Sequence, residues 1–101
     1  MFLYKYLNET YLDLLYDKYE EWYINGLNEN KFTDIYNLFK EYNFYFINDI
    51  IINYLELFEY DKETVNKRML KLKEKLGNNF IYLIGDNLTY IEELLDNEEF
   101  D

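Results

Sequence analysis

The chain has 101 residues, a formal net charge of −11 and no Cys, His or Pro. This length predicts one domain, and the missing Cys and His exclude disulfides, zinc sites built on those ligands and His-dependent catalytic triads. The acidic balance also argues against direct binding to nucleic acid or to an anionic membrane, because both require a cationic surface.

The N-terminus lacks the basic and then apolar segments of a signal peptide, and no apolar run approaches the length of a membrane span. Many of the frequent residues, such as Asn, Tyr, Ile and Lys, have codons rich in A and T. We therefore expect a protein from the cytoplasm of a low-GC bacterium or encoded by its phage.

Between residues 9 and 24, apolar side chains recur at the 3.6-residue period of an amphipathic helix. Asn8 or Thr10 is expected to cap this first helix, and Gly26 to end it. The predicted apolar side consists of Tyr11, Leu12, Leu15, Tyr16, Tyr19, Trp22 and Tyr23. The only Trp of the chain is therefore predicted to be buried.

A second helix is predicted over residues 33–42 and a third over residues 44–60, both with apolar side chains at helical spacing. The β-branched and aromatic residues of the third would also suit a strand. Its length and period argue against a strand, and we expect this most apolar helix to lie centrally. The expected core residues of these two helices are Phe32, Ile35, Leu38, Phe39, Tyr42, Phe46, Ile47, Ile50, Ile51, Tyr54, Leu55 and Phe58.

Asp61 is positioned to cap a fourth helix over residues 62–76, and Gly77 to end it. Its predicted buried stripe is Val65, Met69, Leu72 and Leu76.

Residues 80–84 fit either a short strand or a helical turn; a helix is favoured because a lone strand has no partner. A last helix is expected over residues 86–96. The predicted fold is all-α: a compact bundle of four to five short helices in a single domain, residues 1–101, with an acidic C-terminal end.

Catalytic chemistry finds little support in the sequence. The three Gly residues do not form a phosphate-binding loop, and no EF-hand loop is present. The adjacent carboxylates of Glu20 and Glu21, or of Glu92 and Glu93, would diverge by about 100° on a helix, so a solvated face explains them better than acid–base or metal chemistry. We expect no enzymatic activity, no cofactor and no metal site.

The arrangement of the acids is more informative. Four of them in the first predicted helix are spaced four, four and three residues apart, which places them in a column opposite the apolar side. The spacing within such a column approaches that of phosphates along a nucleic-acid strand. The residues predicted to bind a partner are Glu9, Asp13, Asp17, Glu20, Glu21, Tyr23, Asp49, Glu56, Glu92, Glu93 and Asp96.

The aromatic content bears on the same question. The chain contains 13 Tyr, 8 Phe and one Trp, more aromatic area than a core of this size readily absorbs, so several Tyr should remain exposed as interface material. Ordinary surface tyrosines with their rings tucked inward are the alternative explanation. The candidates are Tyr4, Tyr6, Tyr23, Tyr45, Tyr60 and Tyr82.

One segment opposes the acidic trend, because residues 62–76 contain six of the ten basic residues. The surrounding acids would largely neutralise this helix as a nucleic-acid site. Pairing with neighbouring acids, or with a second copy of the chain in a homodimer, is the better interpretation.

In size, charge and carboxylate columns, the chain resembles the small acidic anti-defence proteins of phages, including anti-CRISPR proteins and other DNA mimics. The resemblance is one of class and includes no diagnostic motif. It implies a non-catalytic inhibitor whose partner is a basic protein such as a CRISPR effector or another nuclease. The alternatives are an immunity protein or antitoxin against a nuclease toxin, a non-inhibitory helical oligomerisation module, and an ordinary bundle with a solubilising acidic surface.

Overall fold

The structure, a computed structural model, describes residues 1–95, and this part of the chain is all-helical. It contains six α-helices and three 3₁₀ helices, more than the four to five helices predicted, and residues 80–84 belong to a helix. In chain order the elements are η1 (Phe2–Lys5), α1 (Glu9–Lys18), α2 (Glu21–Asn25), α3 (Glu29–Glu41), α4 (Ile47–Asn53), η2 (Leu55–Glu59), α5 (Lys62–Leu76), α6 (Phe80–Asp86) and η3 (Leu88–Leu94).

Asparagine caps set where two helices begin. The side-chain oxygen of Asn8 accepts a hydrogen bond from the backbone N–H of Tyr11 at 3.0 Å, so Asn8 and not Thr10 caps α1. Asn28 accepts from the N–H of Lys31 at 2.9 Å. This second cap explains why α3 begins at Glu29, four residues before the predicted start.

The predicted helix over residues 9–24 is broken. Tyr19 and Glu20 have extended backbones, with ψ of 149° and 143°, and they separate α1 from α2. The break reorients α2 so that Ile24 is buried, with 1% exposure, while Trp22 is 74% exposed. The prediction of a buried Trp22 is therefore wrong, because it assumed one continuous helical period.

The predicted helix over residues 44–60 is also divided, at Tyr54, which has φ −139° and ψ 52°. After this point η2 buries Leu55, Leu57 and Phe58 together. A continuous helix with one apolar side would not bury all three, since they span too wide an arc. The division leaves Glu56 and Glu59 exposed on a short turn between buried neighbours.

Aromatic packing holds the centre of the core. The rings of Phe32 on α3 and Phe58 on η2 stack with centroids 4.7 Å apart, and Phe39 meets Phe58 edge-on at 5.9 Å. Helix α3 contacts α4, η2 and α5, while α1 packs on α4. The expected burial of Ile35, Phe39, Ile50, Val65 and Met69 is confirmed.

The C-terminal part differs in detail from the prediction. Helix α5 has the predicted bounds and ends at Gly77, whose φ of 86° is the left-handed conformation that favours glycine. The segment predicted as a last α-helix contains the 3₁₀ helix η3, and predicted partner residue Asp96 lies outside the described residues. Within residues 1–95, no helix has both the length and the apolar character needed to cross a membrane.

Candidate functional site: a tyrosine–carboxylate face

Aromatic and acidic side chains from five elements and junctions converge on one side of the molecule. They come from the end of α1, from α2, from the α4–η2 junction, from η2 and from η3. We call this surface the tyrosine–carboxylate face; its residues are Tyr19, Glu20, Trp22, Tyr23, Tyr54, Glu56, Glu59 and Glu92.

Tyrosine hydroxyls fix two of the carboxylates. The hydroxyl of Tyr23 donates to the carboxylate of Glu59, and that of Tyr54 donates to Oε2 of Glu92 at 2.9 Å. Partial burial, followed by the hydrogen bond to Glu92, raises the pKa of Tyr54 to about 12. Burial and the hydrogen bond to Glu59 likewise raise the pKa of Tyr23 well above its usual range. Both hydroxyls therefore stay protonated as donors, and each carboxylate keeps further lone pairs for a ligand.

Tyr19 lies near both Tyr23 and Tyr54. Its ring stacks on that of Tyr23, with centroids 5.9 Å apart and 26° between the planes. Its hydroxyl accepts a hydrogen bond from the backbone N–H of Leu55 at 3.2 Å. Burial raises the pKa of Tyr19, and the nearby Glu56 carboxylate adds to that increase. Tyr19 thus ties the end of α1 to η2 and lies beside Glu56.

Trp22 lies at the rim of an open groove of about 360 Å³. Its ring meets that of Tyr23 edge-on, at 6.0 Å and 81°. An indole this exposed is unusual in a small domain, and exposed Trp and Tyr are the side chains most enriched at binding hot spots. The groove is lined by Lys18, Tyr19, Glu20, Trp22, Tyr23 and Glu56.

The basic residues of the chain form no ion pairs with the carboxylates of this face within residues 1–95. Nζ of Lys18 donates to the side-chain oxygen of Asn53 at 2.8 Å instead of pairing with a carboxylate. Lys31 pairs with Asp61 at 3.4 Å and reaches only the backbone oxygen of Glu59. The ion pairs formed within residues 1–95 are Lys5–Glu29, Lys31–Asp61 and Lys75–Glu93. None of them involves Glu20, Glu56, Glu59 or Glu92, so the face remains negative.

Four of the predicted partner-binding residues lie on this face: Glu20, Tyr23, Glu56 and Glu92. Glu9, Asp13 and Asp17 are exposed along α1. Glu20 does not continue their column, because the chain is extended at this residue.

The other predicted residues within residues 1–95 are not among those that form the face. Glu21 is in the first turn of α2, where its charge adds to the effect of burial in raising the pKa of Tyr16. Asp49 is on α4, separated from Glu56 by the break at Tyr54. Glu93 is paired with Lys75 at 3.2 Å.

Apart from Tyr23, which lies on the face, the predicted interface tyrosines divide into two groups. Tyr4, Tyr45 and Tyr82 are exposed. Tyr6 and Tyr60 pack against the core, where Tyr6 hydrogen-bonds Thr33 at 2.7 Å and Tyr60 donates to the backbone oxygen of Leu95. The prediction that Tyr6 and Tyr60 form an interface therefore gains no support. The rings of both residues pack inward against the core.

Sequence reasoning missed Tyr19, Trp22, Tyr54 and Glu59 as members of the face. The first three were assigned to the core by their helical period. A usable indication was present for Trp22, since a Trp next to Glu20 and Glu21 is poorly suited to a dry core. Nothing local marks the pairs Tyr23–Glu59 and Tyr54–Glu92, because 36 and 38 residues separate their members.

The face combines an exposed indole with carboxylates that form no ion pair within residues 1–95. Within the described part of the chain, no three acidic side chains lie close enough together to hold a metal ion. No protein-family model, curated protein or solved structure matches this chain.

Proposed function

We propose that this protein is a non-catalytic inhibitor that binds the cationic nucleic-acid-binding cleft of an enzyme. The observation that carries the proposal is the exposed Trp22 in a groove lined by Glu20 and Glu56, which form no ion pair within residues 1–95. A cleft that binds nucleic acid presents Lys and Arg to phosphates, and fixed carboxylates are the complementary groups on a competitor.

The two parts of the face have different roles in this proposal. Trp22 and Tyr23 supply aromatic contact area, which favours a slow dissociation rate. The carboxylates of Glu56, Glu59 and Glu92 supply charge complementarity and register. The exposed acids of α1 add to the negative field and speed association at low ionic strength.

An RNA-guided nuclease of a CRISPR system is the most specific target that this proposal names. Support comes from the resemblance in size, from the net charge of −11 and from the carboxylates fixed by tyrosines. A nuclease toxin would present similar chemistry to an immunity protein, so the test includes both kinds of enzyme.

The test uses purified RNA-guided nucleases and nuclease toxins from low-GC bacteria. DNA binding and cleavage are measured with the wild-type protein, with a W22A/E56Q/E59Q variant, and with a D34N/E41Q variant whose altered side chains are exposed on α3. We expect stoichiometric wild-type protein and D34N/E41Q to abolish DNA binding by one enzyme, and the face variant to fail. If a toxin is the enzyme inhibited, the immunity-protein alternative holds. Unchanged activity of every enzyme would contradict the proposal.

A further inference from the structure

We propose that the groove beside Trp22 receives an arginine side chain of the partner protein. This inference rests on the proposed function and specifies which group of a basic partner the face recognises. It is carried by the aromatic walls of the groove together with the two carboxylates that line it.

The walls of the groove suit a planar cation. Because the ring of Trp22 is nearly perpendicular to that of Tyr23, and Tyr23 is nearly parallel to Tyr19, the groove has two aromatic walls at a steep angle. Trp22 is 74% exposed, so a face of its ring is open to a ligand. A guanidinium over an indole face is attracted by the ring quadrupole, and Trp is the strongest partner among the aromatic residues.

The charges of the groove select the same ligand. Glu20 and Glu56 both line it, and neither is in an ion pair within residues 1–95. Lys18 also lines the groove, but its ammonium is hydrogen-bonded to Asn53. Arginine fits better than lysine because its fork donates to carboxylates in two directions, stacks on aromatic rings and is more weakly hydrated.

A second groove on the molecule lacks this combination of aromatic side chains and carboxylates. It is lined by Tyr36, Lys40, Asn43, Phe44, Tyr45, Ile47 and Asn48, and its volume of about 410 Å³ is similar. This second groove contains a lysine and no carboxylate, so it lacks the groups with which an arginine would pair in the Trp22 groove.

The test compares three short capped peptides, Gly-Arg-Gly, Gly-Lys-Gly and the same peptide with citrulline, which keeps the shape of arginine but not its charge. Binding to the full-length protein is measured at low ionic strength by the diffusion of the peptide in NMR, which needs no Trp signal. We expect the arginine peptide to bind about threefold or more tightly than the lysine peptide, and the citrulline peptide to show no binding.

Variants locate the site. Trp22→Leu and E20Q/E56Q should each weaken the arginine peptide by about three- to tenfold, because each removes one half of the recognition. D34N/E41Q removes the same number of charges on α3 and should change binding by less than about twofold, through the long-range field alone. Lys18→Gln should tighten binding, since it removes a competing cation. Thermal unfolding monitored by circular dichroism verifies that every variant is folded.

Equal affinities for the arginine and citrulline peptides would overturn this inference, as would equal losses in E20Q/E56Q and D34N/E41Q. The outcome is separable from that of the proposed function. Binding of the arginine peptide with no nuclease inhibited would sink the inhibitor proposal and keep the groove assignment. Inhibition of a nuclease that is insensitive to Trp22→Leu would do the reverse.

Discussion

The acids of α1 have the same charge as Glu59 and Glu92 of the tyrosine–carboxylate face, but they are held in a different way. Within residues 1–95, no hydrogen bond or ion pair fixes the carboxylates of Glu9, Asp13 or Asp17. On the face, tyrosine hydroxyls hold Glu59 and Glu92. Helical spacing thus aligns backbone positions, whereas tertiary hydrogen bonds align the charged groups themselves. The second kind of order is the kind that a specific interface requires.

The largest expected difference between the two regions is in stability. Tyr19→Ala removes a stacked, half-buried ring and the acceptor of the Leu55 N–H, so we expect the free energy of unfolding to fall by about 2 to 3 kcal/mol. Tyr16→Ala, on the exposed part of α1, should cost less than about 1 kcal/mol. Urea denaturation measures both. Similar losses in the two variants would show that Tyr19 does not tie α1 to η2.

Removing one hydroxyl should have a smaller effect. Tyr23→Phe and Tyr54→Phe each delete a hydrogen bond to a partly exposed carboxylate, and we expect each to lower the free energy of unfolding by about 0.5 to 1 kcal/mol. The matched change on α1, Asp13→Asn, should be neutral or stabilising by a few tenths of a kcal/mol, because it relieves repulsion between like charges at helical spacing. A destabilising Asp13→Asn, with neutral tyrosine variants, would reverse the comparison.

Alkaline pH tests the hydrogen bond between Tyr54 and Glu92 on the face. The pKa of Tyr54 is about 12, above its ordinary value of 10.0. Its contribution to stability is therefore fully present below about pH 10 and is lost as the pH rises through about 12. Ring-carbon NMR shifts of labelled tyrosine follow the titration. Glu92→Gln should lower the pKa of Tyr54 but keep it above 10.0, since burial remains. An unchanged pKa in Glu92→Gln would show that this hydrogen bond is not formed.

The smallest effect expected is the salt dependence of the α1 acids. D13N/D17N should raise the thermal unfolding midpoint slightly at low ionic strength and leave it unchanged at about 1 M salt, where the Debye length is about 3 Å. The measurement is a pair of thermal scans monitored by circular dichroism. A shift that persists at high salt would mean that Asp13 or Asp17 makes a specific contact.

Sequence periodicity predicted the parts of the fold that depend on local pattern. The all-helical class, the bounds of α5 and most of the aliphatic and Phe core follow from apolar residues at helical spacing. The break at Tyr19 and Glu20 could not be predicted this way, because no Gly or Pro marks it. At this break the hydroxyl of Tyr19 accepts a hydrogen bond from the backbone of Leu55, which is 36 positions away in the sequence.

The site was predicted less completely than the fold. Glu20, Glu56 and Glu92 were predicted to bind a partner, because acidic residues can be recognised directly in a sequence. The role of Tyr54 and the exposure of Trp22 depend on how α2 and η2 turn after their breaks. Those turns are set by packing between distant segments, and a helical wheel drawn through residues 9–24 places Trp22 on the wrong side.

The most direct test of the negative field around an exposed indole is collisional quenching of the single Trp by an anion and by a cation. Each quenching constant is divided by that of free N-acetyltryptophanamide under the same conditions. At low ionic strength we expect the relative value to be higher for caesium than for iodide, because the carboxylates near Trp22 repel the anion. E20Q/E56Q should largely remove this difference, while E9Q/D13N, which removes two charges from the far part of α1, should preserve it. Equal relative quenching by both ions in the wild type, or weak quenching by caesium, would contradict the account.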